Sequence, residues 1–303
     1  VYKSSAASDV YKRQRQDGTI GVRPPGQGGI MNDYFGDLGD VWKHLPLAEI
    51  LRVNPPRHFW ETHAGSASYP LTASAPRRHG ALRFLDHAPE EPELQDCAYL
   101  EALQAMPNLY PGSPILAMRA LGEQGRYHFC DIDPESTANL RTAAAGLEAQ
   151  VIEGDGVTAI TYEAQQATMD PAEVLVHIDP FEPHQRWMPN SKTPIELAAW
   201  LADAGYRLFF WYRYDTIAER GWAAEAIGRL APNVDLWCGD TLMPAAFVFP
   251  DRPGAWGCGI VLTNATSDEI EVCRRLGQGL ERMSADDILD GNDPARLAFK
   301  VMA

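Results

Sequence analysis

The sequence has no run of eighteen or more apolar residues, which excludes an ordinary membrane-spanning helix. Cysteine is sparse, with Cys97, Cys130, Cys238, Cys258 and Cys273 the five in 303 residues, and no CxxC pair among them. An odd count without paired spacing predicts no disulfides and fits reduced thiols in a cytoplasmic protein. Positive charge is scarce as well: 26 Lys+Arg against 41 Asp+Glu give a net charge of −15. A broad phosphate-gripping face is therefore not expected, although a local basic groove remains compatible. No GxGxxG run occurs, so the fingerprint of a nicotinamide enzyme is missing.

What is present is enough apolar residue, 45% of the chain, to bury a full α/β core. Residues 1–30 stand apart from it. They lack periodicity, repeat Val-Tyr-Lys, resemble translated adapter sequence at DVYKRQ, and end in the Gly-rich VRPPGQGGI. They are expected to be a non-native or disordered leader, with the domain starting at Met31.

From Asp40 the spacing of Val41, Trp42, Leu45, Leu47, Ile50 and Leu51 predicts a helix with Asp40 as N-cap, stopping near Asn54-Pro-Pro. Arg57–Glu61 reads as a strand. The small residues of Thr62-His63-Ala64-Gly65-Ser66-Ala67-Ser68 leave its end, where backbone N–H groups can approach a ligand. Prolines break residues 71–110 into short helical patches, an expected helical insertion. Ser113 is placed as N-cap of a helix reaching Leu121, with Pro114 at its first position. Strands are then predicted to end at Asp131, near Asp155 and at Asp179, with helices between them. That alternation implies a parallel sheet with right-handed crossovers and three carboxylates around one crevice.

The third strand, Val174-Leu-Val-His-Ile-Asp179-Pro180-Phe181, is the one on which the chemistry should turn. A proline directly after the strand leaves the Asp179 carboxylate and a free carbonyl side by side, a pair suited to an amino group. Residues 183–194 lack a period and read as a flap. The pattern further predicts a helix over 195–204, a strand over 206–211, a helix over 219–230, strands over 234–238 and 245–249, an edge strand over 258–263 and a helix over 268–289. The aromatic run Trp211–Tyr214 offers a surface for base stacking. A metal site from His177, Asp179 and His184 is disfavoured, because His177 lies within a buried strand and His184 on the flap.

These segments, in this order, resemble the RlmJ family of 23S rRNA adenine-N6 methyltransferases. The resemblance runs from about Gly36 to Thr263. It is carried by Gly36-Asp-Leu-Gly-Asp40-Val-Trp-Lys43-His44, Thr62-His63-Ala64-Gly65, Tyr110-Pro-Gly-Ser113-Pro114, Cys130-Asp131-Ile-Asp-Pro134, Asp155-Gly156 and Ile178-Asp179-Pro180. It implies a Rossmann-like α/β fold with a small helical insertion, and S-adenosylmethionine as cofactor. It implies that Lys43, His44 and His63 contact the methionine end of the cofactor with Gly65 and Ser113 nearby, that Asp131 binds the ribose hydroxyls, and that Asp155 holds the adenine. Asp179, Pro180 and Phe181 would then orient the target amine. The pattern departs from adenine-N6 enzymes at the acceptor: Phe181 replaces a second proline, Glu182 stands where a stacking aromatic is usual, and Tyr34-Phe35-Gly36-Asp37 replaces His-Ala-Gly-Asn.

The expected function is adenine-N6 methylation of RNA, with ribosomal RNA as partner and no metal or membrane, by a cytoplasmic monomer or weak dimer. Two alternatives stay open. One is transfer to a protein or small-molecule amine. The other is a catalytically idle module that binds cofactor or RNA.

Overall fold

A computed structural model describes residues 35–249, 251–284 and 297–302; the expected leader, Tyr34 and the final residues of the 268–289 helix lie outside them. The fold proper begins at Gly36. Eight strands form one sheet: β1 (His58–Glu61), β4 (Arg126–Asp131), β5 (Glu148–Glu153), β6 (Val174–Ile178), β7 (Arg207–Tyr214), β8 (Leu236–Pro244), β9 (Ala255–Thr263) and β10 (Ala298–Met302). Their spatial order is β10-β8-β9-β7-β6-β1-β4-β5. The five strands from β5 to β7 run parallel, as the β-α-β spacing predicts, whereas β9, β8 and β10 pair antiparallel. Two shorter strands, β2 (Ser68–Pro70) and β3 (Leu109–Pro111), form an antiparallel ribbon through which the chain enters and leaves the 71–110 segment.

The first helix, α1, spans Leu38–Val53. The inserted segment holds α2 (Ala75–His79), α3 (Ala81–His87) and α4 (Ala98–Gln104). The remaining helices are α5 (Ser113–Leu121), α6 (Pro134–Ala143), α7 (Gly156–Gln166), α8 (Pro194–Asp203), α9 (Trp222–Leu230) and α10 (Ser267–Met283). Side chains alternate across a strand, and the two faces of the central strands bury different sets. Trp60, Cys130, Val176, Ile178 and Phe210 join Ile160 of α7, Leu197 and Leu201 of α8 and Ile227 of α9 in one apolar cluster. The opposite face carries Phe59, Phe129, His177 and Phe209. There α1 and α10 pack on each other and on β9 and β8.

Several expected boundaries move for physical reasons. Asp37, not Asp40, caps α1: its side chain accepts from the Asp40 N–H at 2.9 Å, and Asp40 is drawn instead to Lys43. Gly112, not Ser113, is the N-cap of α5, so Ser113 is the first helical residue and its hydroxyl is free to reach a neighbour. Residues 245–247 form a 3₁₀ turn between β8 and β9 rather than a strand. β9 is no edge strand: it lies between β7 and β8, and all its residues from Trp256 to Thr263 are buried. The edge belongs to β10, which the sequence pattern did not single out.

Candidate functional site

β1 is the pivot of the sheet, with β4 on one side and β6 on the other. At such a reversal of strand order the connections diverge and open a crevice over the C-terminal strand ends. Asp131 ends β4, Asp155 follows β5 as N-cap of α7, and Asp179 follows β6. All three carboxylates act electrostatically on His63, which leaves the end of β1. The three strand-end carboxylates expected from the sequence thus all lie within electrostatic reach of one imidazole.

Asp179 is the one of the three held by an ammonium. It accepts from the Lys43 ammonium at 2.7 Å, and the same nitrogen lies 2.8 Å from Asp40. Burial disfavours the ammonium, but the carboxylates of Asp179 and Asp40 outweigh it and hold the Lys43 pKa well above its ordinary value. The amine also lies 5.5 Å from the ring centre of Trp211 on β7. Lys43 is thus a buried partner of the Asp179 carboxylate, clamped from two sides, rather than a solvated side chain.

Burial works against a charge on both imidazoles. Burial, reinforced by Lys43 and His177, pushes the His44 pKa well below the usual histidine value, and its Nδ1 pairs with the Tyr110 hydroxyl at 2.6 Å. Tyr110 in turn accepts from Tyr99 of the inserted segment at 3.2 Å, so the insertion reaches the site through a tyrosine pair. Burial also lowers the His63 pKa against the pull of Asp179, Asp131 and Asp155, and Thr62 Oγ1 holds its Nδ1 at 2.7 Å.

The small-residue run after β1 has a different role from the one its composition suggests. Its N–H groups are already committed: Ala64 donates to the Cys130 carbonyl, Gly65 to Asp131, Ser66 to Tyr69 and Ala67 to Asn139. Gly65 adopts φ +61°, and a Cβ there would collide with the Tyr69 hydroxyl. The run holds its shape by these bonds and presents His63 and the Asp131 carboxylate to the crevice. Asp131 accepts one N–H on each oxygen, from Gly65 at 2.7 Å and from Asp133 at 2.8 Å, which leaves acceptor capacity for hydroxyl groups. Burial raises its pKa, and those two N–H groups oppose the rise. Asp155 is engaged as a cap, accepting from the Thr158 N–H at 3.0 Å.

Beneath Asp179 lies a group that the sequence reading passed over. Glu61, fully buried at the end of β1, accepts from Ser113 at 2.5 Å and pairs with His177 Nδ1 at 2.6 Å. Burial raises the Glu61 pKa, and His177 and Ser113 oppose the rise. An acidic residue inside a strand was the available signal. The register of β1 on β6, which sets Glu61 beside His177, was not readable. Among the described residues no cluster of His, Cys, Asp and Glu could hold a metal ion.

The donor set fits a cationic cofactor. Carboxylates outnumber ammonium groups around the crevice, and the one ammonium among them, Lys43, is paired with two carboxylates, so the balance of charge favours a sulfonium. Phe181 is 68% exposed beside this crevice, and the Arg213 guanidinium lies over its ring at 4.6 Å.

Comparison with known proteins agrees with this fold. A search of curated proteins finds no match. A Legionella pneumophila crystal structure of family-model DUF519 superposes with a TM-score of 0.64 at 19% identity, covering 89% of this chain and 98% of that one. A more distant likeness, TM-score 0.37 at 11% identity over 74% of this chain and 61% of the other, is to an S-adenosylmethionine-dependent methyltransferase from Agrobacterium tumefaciens. The family model described as "Ribosomal RNA large subunit methyltransferase D, RlmJ" matches residues 54–212, just over half of the sequence and the whole stretch from β1 into β7. The chain therefore belongs to the RlmJ family of methyltransferases, and its fold is Rossmann-like.

Proposed function

We propose that the protein transfers a methyl group from S-adenosylmethionine to the N6 amino group of an adenine in ribosomal RNA. The observation that carries this reading is the Lys43–Asp179 pair at 2.7 Å, immediately before the Pro180 carbonyl at the end of β6. A carboxylate anchored from behind has its remaining lone pairs directed outward. With the neighbouring carbonyl it forms two acceptors for the two hydrogens of one amine.

When bound, S-adenosylmethionine supplies an electrophilic methyl on a positive sulfonium. Asp131 would take its ribose hydroxyls, Lys43, His44 and His63 would meet its methionine end, and Asp155, with Gly156, would border its adenine. Asp179 and Pro180 orient the target nitrogen so that its lone pair faces the methyl group. No strong base would be required: the nitrogen would bond the methyl group as the carbon–sulfur bond breaks and a neutral thioether leaves, and only then, now acidic, would it release its proton to water or to Asp179. The family membership supports this assignment, and the localisation that goes with it is cytoplasmic. The net charge of −15 and the sequence Asp179-Pro180-Phe181-Glu182 favour a second reading, transfer to a protein amine.

Incubation of the full chain with methyl-labelled cofactor and separate pools of unmodified rRNA, tRNA and protein tests the two readings. Label should enter the rRNA pool as N6-methyladenine. Asp179→Ala should abolish transfer with cofactor affinity nearly unchanged, since the lost contacts act on the acceptor alone. Full transfer by that variant would overturn the mechanism.

A further inference from the structure

The mouth of the crevice contains a second arrangement, one member of which, Arg213, lies just beyond the family match that ends at residue 212. The strand register sets Ile178 beside Phe210. Just beyond the end of β6, the Phe181 ring meets the Arg213 guanidinium of β7. Trp211 and Arg213, two apart on β7, lie on one side of it, while Tyr212 between them is buried in the core of the other face. Phe181 is exposed, Arg213 is half-buried, and the guanidinium lies 4.6 Å from the ring centre.

Arg213 differs from the basic residues around it. Arg186 pairs with Glu196, Arg220 with Asp240 and Arg252 with Asp215 at 3.0 Å. Among the described residues no carboxylate pairs with Arg213. Its contact is the aromatic ring. A guanidinium held over a ring and paired with no carboxylate keeps N–H donors available, and a guanidinium fork suits phosphate oxygens in pairs. Stacking also restrains an otherwise exposed ring.

We propose that Phe181 and Arg213 form one acceptor platform, in which the open face of the ring takes the target base and the guanidinium behind it takes a phosphate of the same strand. This rests on the RNA reading above and narrows it. The substrate is a nucleotide within a strand, and a free nucleoside, lacking the phosphate, is a poor acceptor. The platform places an aromatic at residue 181 in the role that Glu182 cannot fill. Arg213 acts on the transferred group only through the ring and the phosphate, so it is a positioning and specificity residue.

The test uses the full chain, methyl-labelled cofactor, unmodified rRNA, and adenosine as the nucleoside control. Wild type should label rRNA and leave adenosine essentially unlabelled. Arg213→Ala should raise the KM for rRNA about tenfold while kcat, cofactor Kd and melting temperature stay at wild-type values. Its log–log salt slope for RNA binding should fall by about one, the loss of a single phosphate contact. Arg213→Lys should recover the salt slope but only part of the KM, because an ammonium does not stack as a guanidinium does. Phe181→Ala should raise the same KM, and Phe181→Tyr should restore it. Label in rRNA with Arg213→Ala matching wild type in KM and salt slope overturns the platform alone, as does adenosine methylated as efficiently as rRNA. Label entering protein and not RNA in wild type overturns the functional reading and the platform with it.

Discussion

Lys43 shows how far a residue's role departs from what its type suggests. In sequence it is a cation in the first turns of a helix; in the fold it is buried and its ammonium is held between the carboxylates of Asp40 and Asp179. Asp131 moves the other way: both its oxygens are oriented by backbone N–H groups, yet each keeps a lone pair for the crevice. Asp131→Ala should therefore weaken S-adenosylmethionine binding by about 1.5–3 kcal/mol for each hydroxyl bond lost. Isothermal titration reads this directly, and an unchanged affinity would remove Asp131 from the site. The motif residues were legible one at a time because their types are chemically specific. Glu61 and His177 were not, since a buried ion-pairing partner leaves no periodic trace and their 2.6 Å contact depends on the register of two strands 116 residues apart.

At the scale of elements, α1 carries both the anchor lysine and an unusual cap. Burial, and then the neighbouring Asp40 carboxylate, push the Asp37 pKa from an ordinary 3.8 up to about 7. The folded state thus binds a proton more tightly than the unfolded chain between those values, and stability falls as pH rises from 3.8 toward 7 and levels off above it. Asn caps a helix as well as Asp does but does not titrate. Asp37→Asn should match wild type below pH 3.8, become progressively more stable than wild type as pH rises to 7, and keep a constant advantage beyond. Denaturation midpoints across that range check the sign; an advantage that shrinks with rising pH would contradict the buried-carboxyl account. The helix itself was visible from its apolar spacing, whereas its cap was misplaced by three residues. Asp37 and Asp40 are equally good caps by type, and the neighbouring Lys43–Asp179 pair draws Asp40 away.

Across the whole molecule, one residue ties the crevice half of the sheet to the antiparallel half. Trp42, next to Lys43 and fully buried, donates its indole N–H to the Gly239 carbonyl of β8 at 3.2 Å and meets Phe299 of β10 edge-on at 5.1 Å. Trp42→Ala should lower stability by about 3–5 kcal/mol through the cavity it leaves. Chemical denaturation measures that loss, and one under about 1 kcal/mol would mean that α1 is held by its other contacts. The sequence by itself determined the alternation of strands and helices, the parallel core of the sheet, the three strand-end carboxylates and the motifs that carry the family, because these depend on local periodicity and side-chain type. Only the tertiary structure decided the rest. It set β9 inside β8, closed the sheet with β10, buried Lys43 between two acids, and brought Arg213 over Phe181. Each of these depends on which strand lies beside which and in what register. That choice is made by the summed packing of residues far apart in the chain, and no local pattern encodes it.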